Sequence, residues 1–153
     1  MNPTLSSMQP AEKLCVLSSG VFFMTALLTG IWKWRQMATS KAGTAHKYVD
    51  TAHRASLMYA FSALLVGKFS TLNDLSAETN LMAVQPPLFF FAGAIGSYLL
   101  HGFLEDTTNQ IARPLLGTRK LPQWVTPMFM TALAAAEIGG FAVLLFGFIR
   151  AAY

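Results

Sequence analysis

The chain is poor in charge and nearly free of cysteine, and both shortages narrow what it can be. Only 12% of its 153 residues are charged, against 54% hydrophobic, where a soluble domain carries roughly 25% charged residues. So little polar surface does not keep a chain of this size in water. A single cysteine, Cys15, excludes an internal disulfide and any metal cage built from cysteine alone. It falls in an apolar run, where a small buried thiol is the expected role. HExxH spacing and cysteine–histidine clusters are both absent, which removes the zinc-hydrolase pattern. The net charge of +4 does not make a nucleic-acid binder, because the basic residues lie between apolar runs and form no basic face. Lipidation and retrieval signals are also missing. The first apolar run is as long as a bilayer is thick, longer than a signal core, and is read as retained.

What fills the sequence is four apolar runs, at about residues 14–34, 55–72, 86–104 and 125–149. Each has about 18 to 25 residues, enough to cross a hydrocarbon core of about 30 Å at about 1.5 Å per residue. Helices are required, since an open sheet edge in lipid leaves amides unpaired. The expected fold is all-α: one integral-membrane four-helix up-down bundle over residues 1–153, multi-pass, in the inner membrane if the cell is bacterial. Trp32 and Trp34 are placed as interfacial anchors, and Lys13 and Lys68 lie where they can snorkel. Pro86 and Pro87 are expected in the first turns of the third helix, where proline costs no hydrogen bond. Lys33, Arg35, Lys41, Lys47, Arg54, Arg113, Arg119 and Lys120 gather in the first and third connections, against Lys13, Lys68 and Arg150 on the opposite side. The positive-inside rule then puts both termini outside. Small residues on helix three (Ala92, Gly93, Ala94, Gly96) and helix four (Ala132, Ala135, Ala136, Gly139, Gly140) predict close helix contacts. Four thin helices bury little among themselves, so a homo-oligomer is expected.

Polar groups within these runs are few, and each costs free energy unless partnered. Glu137 lies halfway along helix four, where desolvation disfavours a charged carboxylate. It can act as proton donor, as general base, or as partner to a cation or a substrate hydroxyl. His53 opens helix two in Asp50-Thr51-Ala52-His53-Arg54, and His101 lies near the end of helix three, toward the same side of the membrane. Either imidazole can ligate haem iron or another metal, with Asp50 expected to orient His53. His46 reads as a loop histidine. Ala94, Tyr98, His101 and Glu105 share one helical face, which carries a phenol, an imidazole and a carboxylate toward the surface. Tyr59 on helix two adds a second phenol. Phe89, Phe90, Phe91, Met58, Met128 and Met130 are read first as core or lipid-facing packing and second as walls of an apolar pocket.

This pattern resembles the styrene oxide isomerase family, small four-helix membrane proteins that bind haem b between subunits of a trimer. Ala52-His53 is similar to the family's Ala-His with the axial haem ligand. Gly96-Ser97-Tyr98-Leu99 with Phe103 is similar to its third-helix segment bearing the active-site tyrosine, and the separation of His53 from Tyr98 matches without a gap. The resemblance implies haem b on His53, with the ferric iron a Lewis acid toward an epoxide oxygen and Tyr98 positioning that oxygen. It implies a lipophilic small-molecule substrate rearranged to a carbonyl product. Tyr59 stands where the family has asparagine and Phe90 where it has an acid, while Glu137 and His101 are supplied by this chain. That set makes Tyr98, Tyr59 and Glu137 the expected catalytic residues, and His53 and His101 the expected cofactor contacts.

Three other classes fit parts of the pattern. A small membrane cytochrome b would use His53 and His101 as paired axial ligands for electron transfer. A glutathione-dependent membrane enzyme would need an arginine cluster, for which Arg54 and Arg113 are few. A non-catalytic accessory subunit would use Glu137 only to pair with a partner helix.

Overall fold

A computed structural model describes residues 6–153; the first five residues of the N-terminal segment read above lie outside the described residues. The secondary structure of the described residues is helical apart from one small hairpin. Helix α1 spans Pro10–Thr39, α2 Lys47–Thr71, α3 Ala77–Leu104 and α4 Val125–Ala152, with strands β1 Leu115–Leu116 and β2 Arg119–Lys120 between α3 and α4. Three of these helices, α1, α3 and α4, are long and apolar enough to cross a membrane. Helix α2 carries Lys47, Asp50, Arg54 and Lys68 toward its two ends. Large apolar side chains face outward along the molecule; Phe103 is 79% exposed and Ile138 is 72% exposed. Such surfaces suit lipid and would not survive in water.

The helices run further than the apolar runs. Helix α3 starts at Ala77, because the Ser76 hydroxyl accepts from the Thr79 amide and caps the first turn. Pro86 and Pro87 therefore lie inside the helix, not in its first turns as their neighbours in sequence suggest. Proline lacks an amide hydrogen, so Pro87 leaves the Ala83 carbonyl four residues earlier without its helical donor. Gly140 of α4 seats directly against that carbonyl and the Pro87 ring, with no space for a side chain. Glycine on α4 thus lets a backbone approach the site that proline opens on α3.

The most extensive contact is between α1 and α2, helices whose small residues the sequence reading passed over. Ala11, Cys15, Ser19, Phe22, Ala26 and Thr29 recur along one face of α1 at helical spacing. Ala52, Ser56, Ala60, Ala63 and Gly67 line α2. A Cβ added at Gly67 would stand 2.8 Å from the Cys15 Cβ, so the thiol is buried in a seam with no slack. In lipid, where apolar burial does not separate helix–helix from helix–lipid contact, such fit is the main attraction.

Each end of the molecule is fastened by polar contacts. At one end the Gln36 amide donates to Glu105 at 3.3 Å, while its carbonyl accepts from the His46 amide at 2.9 Å. His46 is the N-cap of α2 rather than a free loop histidine, and its Nδ1 accepts from the Tyr48 amide. At the other end Arg150 makes a bidentate pair with Asp74, with contacts at 2.8 to 3.1 Å, and Asn73 pairs with Asn80. The Arg150 guanidinium holds the Asp74 carboxyl below the usual carboxylate range.

Gly139 and Gly140 are adjacent but sit differently, since a Cβ at Gly139 meets nothing within 4 Å. Gly140→Ala should destabilise the fold by about 1–3 kcal/mol through overpacking, and Gly139→Ala should be near neutral. Detergent-titrated unfolding followed by circular dichroism checks the contrast.

Candidate functional site

His53 falls on the second turn of α2, where it faces α1. Its Nδ1 lies 2.8 Å from the Ala26 carbonyl oxygen, so Nδ1–H is the donor and Nε2 keeps the lone pair. The ring fits because position 30 of α1 is glycine; a Cβ there would stand 3.1 Å from the imidazole. Asp50, expected to orient this ring, pairs instead with Lys33 at 2.6 Å and with Arg54 at 3.8 Å. The Lys33 hydrogen bond holds the Asp50 carboxyl below its ordinary range against the opposing effect of burial. The orienting group is thus a main-chain carbonyl. A ring held at Nδ1 with Nε2 free is the usual state of a metal-ligating histidine.

Tyr59 leaves the opposite flank of α2 and stacks on Phe91 of α3, with ring centroids 4.2 Å apart. Tyr98 of α3 stacks on Tyr48 at 6.0 Å. Tyr59 is within electrostatic range of Tyr98 and Glu137, and Tyr98 within range of Tyr48 and Glu137. Helices α2, α3 and α4 thus each carry one of the three side chains expected to be catalytic, within electrostatic range of one another. Among the described residues neither phenol nor the Glu137 carboxyl has a hydrogen-bond partner, and Glu137 Oε1 is shut off from solvent. Within one chain His53 looks toward α1, whereas Tyr59 stacks on Phe91 of α3 and Tyr98 on Tyr48 of α2, and His53 shares no contact with this trio.

His101 is 6% exposed and belongs to a different group. Its Nδ1 lies 2.7 Å from Asp106 Oδ1, and Asp106 Oδ2 accepts from the Gly117 amide at 2.7 Å. Its ring packs against Tyr48 at a centroid distance of 5.3 Å, and the Tyr48 hydroxyl accepts from the Gln110 amide at 2.6 Å. Burial alone would raise the Asp106 carboxyl, but the bonds from His101 and Gly117 outweigh it and hold it below the ordinary range. Glu105, expected on the same helical face, is instead the C-cap, with a positive φ of 49°, and points to Gln36. His53 and His101 share no partner. Among the described residues no group of three or more His, Cys, Asp or Glu is set to hold a metal.

Sequence reasoning missed Tyr48, Ser97, Asp106 and Gln110. The His101–Asp106 contact crosses a helix end, and the left-handed turn at Glu105 that makes it has no glycine or asparagine to announce it. Of the packing residues, Phe91 is buried, whereas Phe89 and Met58 are 72% and 70% exposed and face outward. Comparison with family models, curated proteins and solved structures finds no match to this chain.

Asp106 joins the 105–123 connection to α3, and a folded pKa below the unfolded value near ~3.9 gives that link its full strength above this value. The link is lost as pH falls through the folded value. Asp106→Asn should therefore increase trypsin cleavage at Arg119 and Lys120 at pH 7 by about tenfold or more, the range for charged hydrogen bonds. In the parent chain, hydrogen exchange should show the Gly117 amide protected at pH 5 to 7 and released only below about pH 4.

Proposed function

We propose that this chain is a multi-pass membrane isomerase that opens a lipophilic epoxide to a carbonyl product. Tyr98, Tyr59 and Glu137 are the oxygen-handling groups, and His53 Nε2 would hold haem b. Helix α2 crosses the membrane with the other three in an up-down arrangement, both termini outside. Its middle presents Met58, Phe61, Leu64 and Leu65 outward, and its charges lie toward its ends.

One observation carries the reading. Two phenols and a carboxyl, all without hydrogen-bond partners, lie within electrostatic range of one another on apolar helices. Polar groups are expensive there, and unsatisfied ones call for an explanation. A substrate oxygen arriving among them supplies it.

The chemistry needs no water and no net proton. One epoxide C–O bond breaks, a hydride or carbon group moves from the oxygen-bearing carbon to its electron-poor neighbour, and the remaining C–O bond becomes a carbonyl. The Tyr98 hydroxyl donates to the epoxide oxygen as negative charge builds on it, and Tyr59 provides a second donor. Glu137, when protonated, would donate to one phenolic oxygen and fix that hydroxyl's direction. Apolar walls keep water away from the electron-poor carbon and favour rearrangement over hydrolysis. Bound on His53, haem iron would supply Lewis acidity toward the same oxygen. Because His53 faces α1 while Tyr59 leaves α2 toward α3, where Tyr98 lies, the proposal requires a homo-oligomer, a trimer by the resemblance, in which a neighbour closes the distance.

Protein purified in mild detergent and given an aryl epoxide should yield the isomeric carbonyl compound, measured by gas chromatography. Tyr98→Phe should lower kcat by about 10²–10³-fold, as loss of one preorganised donor does elsewhere, with the helical spectrum unchanged. A diol product, or a Tyr98→Phe variant as fast as the parent, would contradict the reading.

A further inference from the structure

A second polar pocket lies between the end of α3, the 105–123 connection and the start of α4. It is a cavity of about 200 Å³ whose walls include His101, Ser97 and Gln110, with Phe129, Met130 and Leu121 completing an apolar floor. Its hydrogen-bond capacity can be counted atom by atom. Both oxygens of Asp106 are taken, one by His101 Nδ1 and one by the Gly117 amide. A carboxylate only accepts, so Nδ1 carries a ring hydrogen, and in its neutral form the imidazole keeps its lone pair at Nε2. The Ser97 hydroxyl donates to Gln110 Oε1 at 2.8 Å, which turns the Gln110 amide nitrogen, a two-hydrogen donor, away from that contact. The Gln110 main chain is held separately: its amide donates to Tyr48, and its carbonyl accepts from the Thr126 hydroxyl at 3.3 Å. The pocket therefore offers one spare acceptor and one spare donor above an apolar floor.

A hydroxyl group is the complement of that pair, since it donates once and accepts at the same oxygen. We propose that this cavity binds a neutral alcohol or phenol with an apolar body, its O–H donating to His101 Nε2 and its oxygen accepting from the Gln110 side-chain amide. Asp106 is the positioning residue: it fixes the imidazole in the tautomer that presents a lone pair. The ligand reaches the pocket from the lipid–water boundary, where amphipathic alcohols concentrate. This site is independent of the epoxide reading and of haem, and it gives His101 a role apart from iron.

Fluorine NMR on the full chain in detergent, at pH 8, tests it with two probes of nearly equal shape, 4-fluorophenol and 4-fluoroanisole, each referenced to empty micelles. The phenol should bind at least about tenfold more tightly, the scale of one or two hydrogen bonds to polar partners. His101→Phe should erase the difference between the probes. Met130→Trp, which fills the floor without touching the Asp106 link, should weaken the phenol by about tenfold or more and decides the matter if His101→Phe does not fold. Equal affinity for the two probes in the parent chain would overturn the proposal. So would a phenol affinity that Met130→Trp leaves unchanged.

Discussion

A polar atom inside a lipid-facing helix has no water to fall back on, and the placement of nearly every such atom here follows from that constraint. Most hydroxyls are satisfied within their own helix: Thr25, Thr29, Ser62 and Ser70 each donate to a carbonyl three or four residues earlier. His53 cannot do this and borrows the Ala26 carbonyl of α1 across a seam that Gly30 keeps narrow. His101 takes Asp106. Among those left without such a bond are Tyr59, Tyr98, Glu137 and the enclosed hydroxyl of Ser56.

The helices were legible as apolar runs, but their ends were not. Helix α1 continues past Trp34 to Thr39, and α3 begins nine residues before Pro86, because caps and interfacial residues carry helix beyond the hydrocarbon. That difference changes what the two prolines do. They free a carbonyl in mid-helix, and Gly140 packs onto it. Tyr59, Tyr98 and Glu137 could be picked out because a phenol or an acid among apolar neighbours is conspicuous in one dimension. Asp50 misled the reading for the opposite reason: it is near His53 in sequence, but Lys33 on another helix is the stronger partner. Asp106 was invisible because a left-handed turn at a glutamate has no helical period.

The two ends of the bundle do different work. The end with the first and third connections gathers Gln36, Tyr48, His101, Asp106 and Gln110 into a polar network over the small cavity. The opposite end is held by Arg150 on Asp74, an exposed pair of modest value, and by the Asn73–Asn80 amides. Between them the phenols and the acid lie on α2, α3 and α4, and His53 turns its Nδ1 toward α1.

The visible absorption spectrum of the purified protein, alone and as His53→Ala, tests the central claim most directly. The account predicts a Soret band in the parent chain that disappears in His53→Ala while the helical signal is kept. A colourless, fully folded parent chain that does not take up added haem would contradict it, as would a Soret band indifferent to the loss of His53.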